Sequence, residues 1–395
     1  MSLYALTWKM LGAARAVDVA LTRREGRRSV LIDSSTAMNY IMAAPIQAAF
    51  AGDSRVRFYT TSTAVAADVR AIYRGALPGT QVITPRAAAL KRFDVYLSAD
   101  LLWATLPRGA ARIQMFHGVA GKFQHDYDTP SSSMRRWHRL FFVNRRRMRN
   151  FVQAGAIDPS SDTPRLIGMP KVDCLVNGSL QRGDVLQRLG LDPARPTILY
   201  APTWSAASSL NLMGLELVAG LLARCWNVIV KLHDRSRDPR PFYSGGVDWP
   251  ARLGQLMAGK TGHLVSDADI CPYLAAADVM ITDHSSAGFE YLLLDRPLVR
   301  IHVPELLRGS NIGEEYVRLL AEAAQSVAGP VDALQAVERG LADPAAGSRS
   351  RRAVAHDLFH GPGGATARAV DELYNVMGLA PVAVPAAVNS RAALT

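Results

Sequence analysis

The chain has 395 residues, 49% of them hydrophobic and 20% charged. These proportions exclude a mostly disordered polymer, and at roughly 150 residues per domain the length predicts two folded domains. Its 45 Lys and Arg against 34 Asp and Glu leave a formal charge of +11, which favours anionic partners: phosphate-bearing ligands, an acidic lipid surface or nucleic acid. Three cysteines, Cys174, Cys225 and Cys271, are too few and too scattered for a disulfide framework or a zinc site, and point to a reducing cytosol.

At the N-terminus, Leu3, Leu6, Met10, Ala13, Val17 and Leu21 recur at helical spacing, and Arg23, Arg24, Arg27 and Arg28 follow. No run of about 18 uncharged apolar residues occurs, so no transmembrane helix is expected. Lys9, Arg15 and Asp18 interrupt the run, and the basic residues follow it, which argues against a signal peptide. Residues 1–28 read as an amphipathic basic helix. It either packs on the first domain or lies on an anionic membrane surface.

From residue 29 to 183, apolar runs alternate with helical patterns. Strands are expected at Ser29–Ser34, Arg55–Thr60, Gln81–Thr84, Phe93–Leu97, Arg112–Phe116 and Leu140–Asn144, with helices through Phe50, over Ala66–Leu77 and ending near Gly155. A helix over Asp184–Leu189, stopped by Gly190, opens a second segment, 184–380. Its strands are expected at Thr197–Tyr200, Asn227–Lys231, His263–Ser266, Val279–Thr282 and Leu298–His302. Both segments therefore predict doubly wound parallel α/β sheets of Rossmann type. Residues 381–395, rich in Ala, Pro and Val, read as a loose tail.

Two pattern matches fail on context. Gly254–Thr261 fits the phosphate-loop letters, but a helix over Arg252–Ala258 precedes a strand there, the reverse of what that loop needs. Asp267-Ala-Asp269 fits a metal-binding D-x-D, yet it sits where Asp caps a helix over Ile270–Ala277. No metal site and no cofactor are expected.

Four loops stand directly after expected strands, where open α/β sheets bind ligands. In Phe116-His117-Gly118-Val-Ala-Gly121-Lys122, Gly118 lets backbone N–H groups approach an anion, His117 suits a general base and Lys122 adds charge. In Tyr200-Ala-Pro-Thr203-Trp204-Ser205, Thr203 offers a hydroxyl and Trp204 a stacking face. Lys231-Leu-His233-Asp234-Arg235 crowds three groups able to carry positive charge. In Thr282-Asp283-His284-Ser285-Ser286, followed by Glu290, the two serines open a helix whose free N–H groups suit an anion. Glu290 suits a ribose, and Asp283 or Ser285 suits an N-cap.

With Ile167-Gly168-Met-Pro170-Lys171-Val-Asp173, these segments resemble the CDP-glycerol glycerophosphotransferases, the primases and polymerases of teichoic-acid and capsule synthesis. Their motifs run H-G-T-P-x-K, I-G-x-P-R-x-D, Y-A-P-T-W-R, K-x-H-P and D-x-x-I-T-D-Y-S-S-x-x-F-D, in the order found here. His284, Glu290, Ser205 and Asp234 depart from the usual Tyr, Asp, Arg and Pro. The resemblance implies a GT-B fold, two Rossmann-like domains facing a central cleft. It implies transfer of a polyol phosphate from a CDP-alcohol to a hydroxyl of a lipid-linked or glycan acceptor, with release of CMP. It assigns His117 as the base and His233, with Lys231, to the pyrophosphate. Asp283, Ser285, Ser286 and Glu290 would hold phosphate and ribose, and Thr203 and Trp204 the nucleotide side.

Seven arginines, Arg135, Arg136, Arg139, Arg145, Arg146, Arg147 and Arg149, form a solvated basic face or a contact with anionic headgroups at the inner face of the membrane. No nucleic-acid-binding motif is present, and no nucleic acid is expected as a partner. Two other readings compete. One is a GT-B enzyme of nucleotide sugars, a glycosyltransferase or a UDP-sugar 2-epimerase relative. The other is a non-catalytic protein of the membrane surface.

Overall fold

The computed structural model describes residues 10, 12–13, 15–18, 20, 26–64, 68–101, 104, 107, 109–123, 127–129 and 131–382. The chain forms two compact units. One comprises Met1–His117, Tyr127–Asp173 and His360–Thr395, and the other Gly118–Asp126 and Cys174–Phe359.

Short runs of Val, Ile, Leu and aromatic residues without polar alternation fit strands covered on both faces. That holds for the central strands of the first unit, whose full set is β1 (Arg28–Asp33), β2 (Val56–Thr61), β3 (Gln81–Val82), β4 (Val95–Ser98), β5 (Ala111–Met115), β6 (Arg139–Phe142) and β7 (Pro164–Leu166). They form a seven-stranded parallel sheet in the order β3-β2-β1-β4-β5-β6-β7. The second unit holds β8 (Thr197–Tyr200), β9 (Asn227–Lys231), β10 (Gly262–Val265), β11 (Val279–Thr282), β12 (Leu298–Ile301) and β13 (Gln325–Val327). Its six parallel strands run β10-β9-β8-β11-β12-β13. Both are Rossmann orders. The strand order reverses between β1 and β4 in one unit and between β8 and β11 in the other, which opens a crevice at the strand ends.

The strand expectations hold within a residue or two. β7 and β13 went unrecognised because each is a three-residue edge strand, only partly buried, with no apolar run to mark it. The helix expected over Ala66–Leu77 is shorter, Val69–Ile72 with Asp68 as its cap, and residues 65–67 lie outside the described ones.

The boundary expected at 183/184 falls after the observed change of unit at Asp173, and the chain returns to the first unit at His360. The Ile167–Asp173 motif makes that return possible. Gly168 has φ +92°, and a Cβ there would lie 2.5 Å from the His360 carbonyl, a contact only glycine tolerates. Asp173 accepts the N–H groups of Gly363, Ala365 and Thr366 at 2.7, 3.2 and 2.7 Å. It therefore caps the last helix, Ala365–Met377. That helix packs on Ala37–Ala49 through Tyr374, whose ring lies 4.7 Å from Phe50.

The expected seven-arginine face does not form. Arg147 is buried, its guanidinium 5.3 Å from the Phe116 ring centre and 5.6 Å from that of Phe151. Arg139 pairs with Asp162 at 2.9 Å and with Glu372 at 3.4 Å. Arg135, Arg136, Arg145 and Arg149 remain exposed. The arginines fall in three places, just past the short helix Ser131–Met134, at the start of β6 and on the helix Arg145–Gln153, so their sequence spacing does not make one surface.

The N-terminal expectation lies mostly outside the described residues. Residues 10, 12–13, 15–18 and 20 are helical, whereas the helix expected to run to 28 does not reach its end: residue 26 is in a turn and Arg28 opens β1. Asp18 accepts from Lys91 Nζ at 2.9 Å and Arg92 N at 3.1 Å, and Arg15 donates to the Ala89 carbonyl at 2.9 Å. Met10 and Val17 are exposed. Among the described residues, the hydrogen bonds from this segment are made by its polar side chains. The tail from 383 onward also lies outside the described residues.

Candidate active site

In the first unit the candidate group is His117, just past β5. Phe116 anchors it. Its ring stacks on Phe142 with centroids 4.6 Å apart and lies 5.2 Å from Phe151. The next side chain turns to the opposite face, and His117 is exposed. His117 Nδ1 lies 3.1 Å from the carbonyl of Ala99, beyond β4 at the strand reversal. A carbonyl only accepts, so Nδ1 carries the proton and Nε2 presents a lone pair. Loss of water around the ring, then the charge of Arg147, holds its pKa below the ordinary imidazole range, although the Ala99 carbonyl and Asp100 pull the other way. A neutral imidazole with a fixed tautomer and an outward Nε2 is equipped to take a proton.

The loop after His117 divides. Gly118 and Lys122 belong to the second unit, where the Lys122 carbonyl accepts from Gly313 N at 2.9 Å. Lys122 Nζ donates to Thr203 Oγ1 at 3.2 Å.

In the second unit, the loops after β8 and β11 are tied together by Asp283, which is fully buried. Its Oδ1 accepts Thr203 N at 2.8 Å and His284 N at 2.7 Å. Its Oδ2 accepts Ser209 Oγ at 2.9 Å and Ser209 N at 3.2 Å. Tyr200 completes the clasp through its hydroxyl, 2.8 Å from Ser209 Oγ. The carboxylate expected at a phosphate faces backbone N–H groups instead. Asp283 shapes the strand reversal, and Thr203 and Trp204 are set by it.

After β9, His233 is exposed and takes the opposite tautomer from His117. Its Nδ1 accepts from Arg235 N at 3.1 Å, so in the neutral ring the proton sits on Nε2, which can donate outward. Crowding by neighbouring side chains holds its pKa down, to about 4. Arg235, Lys231 and Lys122 act in the same direction and Asp234 opposes them. Trp204 lies 6.1 Å from it, and Tyr243 and Phe242 surround the indole at 5.7 and 6.1 Å. Phe242 and Tyr243 were not singled out in sequence. They sit on a separate short helix, Pro241–Ser244, and no spacing links them to Trp204.

The remaining expected residues are placed less openly. Lys231 is buried, with Nζ donating to the Leu232 carbonyl at 2.9 Å. Glu290 is buried in Ala287–Tyr291, a helix of five residues. Ser286 is exposed and Ser285 half-buried ahead of that helix, and their N–H groups have no hydrogen-bond partner among the described residues. So short a helix adds little dipole, so an anion here would rest on those N–H groups and hydroxyls. Asp269 caps Cys271 N at 3.0 Å and Asp267 accepts from the Tyr273 hydroxyl, and no cluster of three or more potential metal ligands occurs among the described residues. The helix Trp249–Met257 precedes β10, so Gly254–Thr261 is not a phosphate loop.

His284 is fully buried. Its Nε2 accepts from Val303 N at 3.4 Å, and burial, followed by Arg300, His302 and Lys122, lowers its pKa to about 3. The unfolded chain takes up a proton near pH 6.5 that the folded chain refuses, so this residue lowers stability as pH falls below 6.5. At pH 5 the loss is about 2 kcal/mol. Urea unfolding of wild type and His284→Gln at pH 7.5 and pH 5 checks this. The variant should lose less stability on acidification, and equal losses would show that His284 is not the group responsible.

Two parallel Rossmann units, each with polar groups gathered at the strand ends, define the GT-B class of nucleotide-handling folds. The chain belongs to the family of CDP-glycerol:poly(glycerophosphate) glycerophosphotransferases, whose profile matches residues 99–360. It is similar to the teichoic acid glycerol-phosphate primase of Bacillus spizizenii, with 27% identity over 146 residues, 36% of this chain and 34% of that protein. The chain thus matches about a third of the primase's length. Among solved structures it resembles the wall teichoic acid polymerase TagF, with a TM-score of 0.69, 15% identity and 95% of both chains covered. The S. aureus MnaA–UDP structure is less similar, with a TM-score of 0.57, 12% identity and coverage of 89% of this chain and 98% of that one. At these identities the structural likeness establishes the fold.

Proposed function

We propose that the protein transfers a polyol phosphate, glycerol phosphate in the first instance, from a CDP-alcohol to an acceptor hydroxyl in cell-envelope polymer synthesis. The observation that carries this is the pair of histidines held by backbone hydrogen bonds in opposite tautomers, His117 to accept a proton and His233 to donate one. The acceptor oxygen attacks the β-phosphorus and its proton passes to His117 Nε2. The bond from the β-phosphorus to the oxygen shared with the α-phosphate breaks, and CMP leaves with that oxygen. Such a transfer needs positioning and charge neutralisation more than covalent catalysis. His233 Nε2–H, Lys122 and the N–H groups of Ser285 and Ser286 supply donors to the phosphates, and Glu290 serves the ribose. Thr203 and Trp204 line the nucleotide side.

The acceptor is read as lipid-linked or a glycan, at an anionic membrane surface on the cytoplasmic face. No described helix is long and apolar enough to cross a membrane. The exposed Arg135, Arg136, Arg145 and Arg149 are the groups that would meet headgroups.

Thermal shift with CDP-glycerol, CDP-ribitol, CMP, UDP and UDP-N-acetylglucosamine tests the donor. A ligand at 100 times its Kd adds about 2.7 kcal/mol to apparent stability. Stabilisation by the cytidine compounds, reduced in His233→Ala, is the expected result. Stabilisation by the uridine compounds alone would assign the chain to nucleotide-sugar chemistry.

A further inference from the structure

We propose that Arg235 contacts the substrate, as a cation stacked on Trp204 that neutralises the diphosphate of the donor. The Arg235 guanidinium carbon lies 4.4 Å from the Trp204 ring centre and 5.5 Å from that of Tyr243. A planar guanidinium lying on an indole loses its rotational freedom while its N–H edges stay available for a planar or phosphate acceptor. Lysine cannot do this, because its ammonium is a compact charge without a face.

Three further observations single out Arg235. Its neighbour Arg240 also sits on Tyr243, at 4.6 Å, but is bound to Asp238 through Nε at 2.8 Å and Nη2 at 2.5 Å. Among the described residues the Arg235 side chain has no hydrogen bond and no ion pair, although Asp234 is next to it in sequence. Arg235 also fixes the proton on His233, because its backbone N–H occupies Nδ1. One residue therefore presents a cation and sets the outward donor of the adjacent histidine, beside Lys122 on Thr203. Ser205, the residue after Trp204, is uncharged and its hydroxyl oxygen accepts from Ala207 N at 3.1 Å, and the charge over the indole is Arg235 from the loop after β9.

This proposal rests on the reading that the second unit binds a nucleoside diphosphate, and the test separates the two. Isothermal titration of the full chain would use CDP, UDP, cytidine and inorganic pyrophosphate. The proteins are wild type, Arg235→Ala, Arg235→Lys, Trp204→Leu and the double variant of Trp204→Leu with Arg235→Ala. Loss of a charged hydrogen-bonding partner should weaken CDP and pyrophosphate roughly 10- to 100-fold and leave cytidine unchanged. Arg235→Lys should recover only part of the loss. In the Trp204→Leu background the Arg235→Ala loss should shrink to about threefold or less, because the cation is no longer held over the indole. Equal weakening of CDP and cytidine, or full recovery by lysine, would overturn the proposal, as would unchanged binding of every probe. Binding of UDP but not CDP, with the loss still confined to the phosphorylated probes, would overturn the donor reading and leave Arg235 in its role.

Discussion

His117→Ala lowers kcat on the order of 10²- to 10⁴-fold, the usual contribution of a positioned general base, while the Kd for CDP-glycerol stays within about threefold of wild type. The separation follows from where the group stands. His117 belongs to the first unit, held by Ala99 and Phe116, and the groups assigned to the donor phosphates belong to the second. The base acts on the acceptor proton, which moves only in the reaction step. The pH profile carries the same sign. Protonation of Nε2 removes the lone pair, so kcat/KM falls as pH drops, and the downward shift of the pKa puts that limb below 6.5. Single-turnover kinetics with donor binding measured in parallel checks both. If His117→Ala weakened donor binding as much as it slowed turnover, His117 would be a binding group and the assignment as base would fall.

The second large effect is expected at Asp283. Asp283→Ala leaves the N–H groups of Thr203, His284 and Ser209 and the Ser209 hydroxyl without their acceptor in a fully buried place. Each orphaned donor costs about 1–3 kcal/mol, with overlap among neighbours, so a loss of roughly 3–5 kcal/mol is expected. For a unit of this size that is on the order of 10 °C in Tm. Asp283→Asn should recover only part, because its amide NH₂ would face donors at one of the two oxygen positions. Urea and thermal unfolding give the measurement. A stability change under about 1 kcal/mol together with complete loss of donor binding would show that the carboxylate serves the ligand and not the clasp.

The site was legible in sequence to the extent that chemistry-bearing residues follow apolar runs. His117, Thr203, Trp204, His233 and Ser285 all lie just beyond strands that are mainly apolar and buried at their ends, as strands covered on both faces of a parallel sheet are. What each residue does there was less legible. Asp283 and Asp173 stand in motifs that look alike as candidates for ligand contact, yet both hold backbone. Asp173 reaches N–H groups 190 to 193 positions away, and Asp283 reaches Thr203 80 positions away. Lys122, five residues from His117, joins the other unit. Arg235 stood inside a quoted loop, and only the approach of the β8 and β9 ends placed its guanidinium on Trp204.

The sequence alone determined the two α/β units, nearly all of their strands and the loops that carry reactive groups, because periodicity and strand-end position are local properties of the chain. Tertiary structure decided which polar groups remain available for a ligand. A carboxylate or imidazole in a strand-end loop is drawn first to buried N–H and C=O groups that need partners, and those partners come from segments far apart in the chain. Such distant partners turned Asp283 into a clasp, while the Ala99 carbonyl and the nearby Arg235 N–H gave His117 and His233 opposite tautomers.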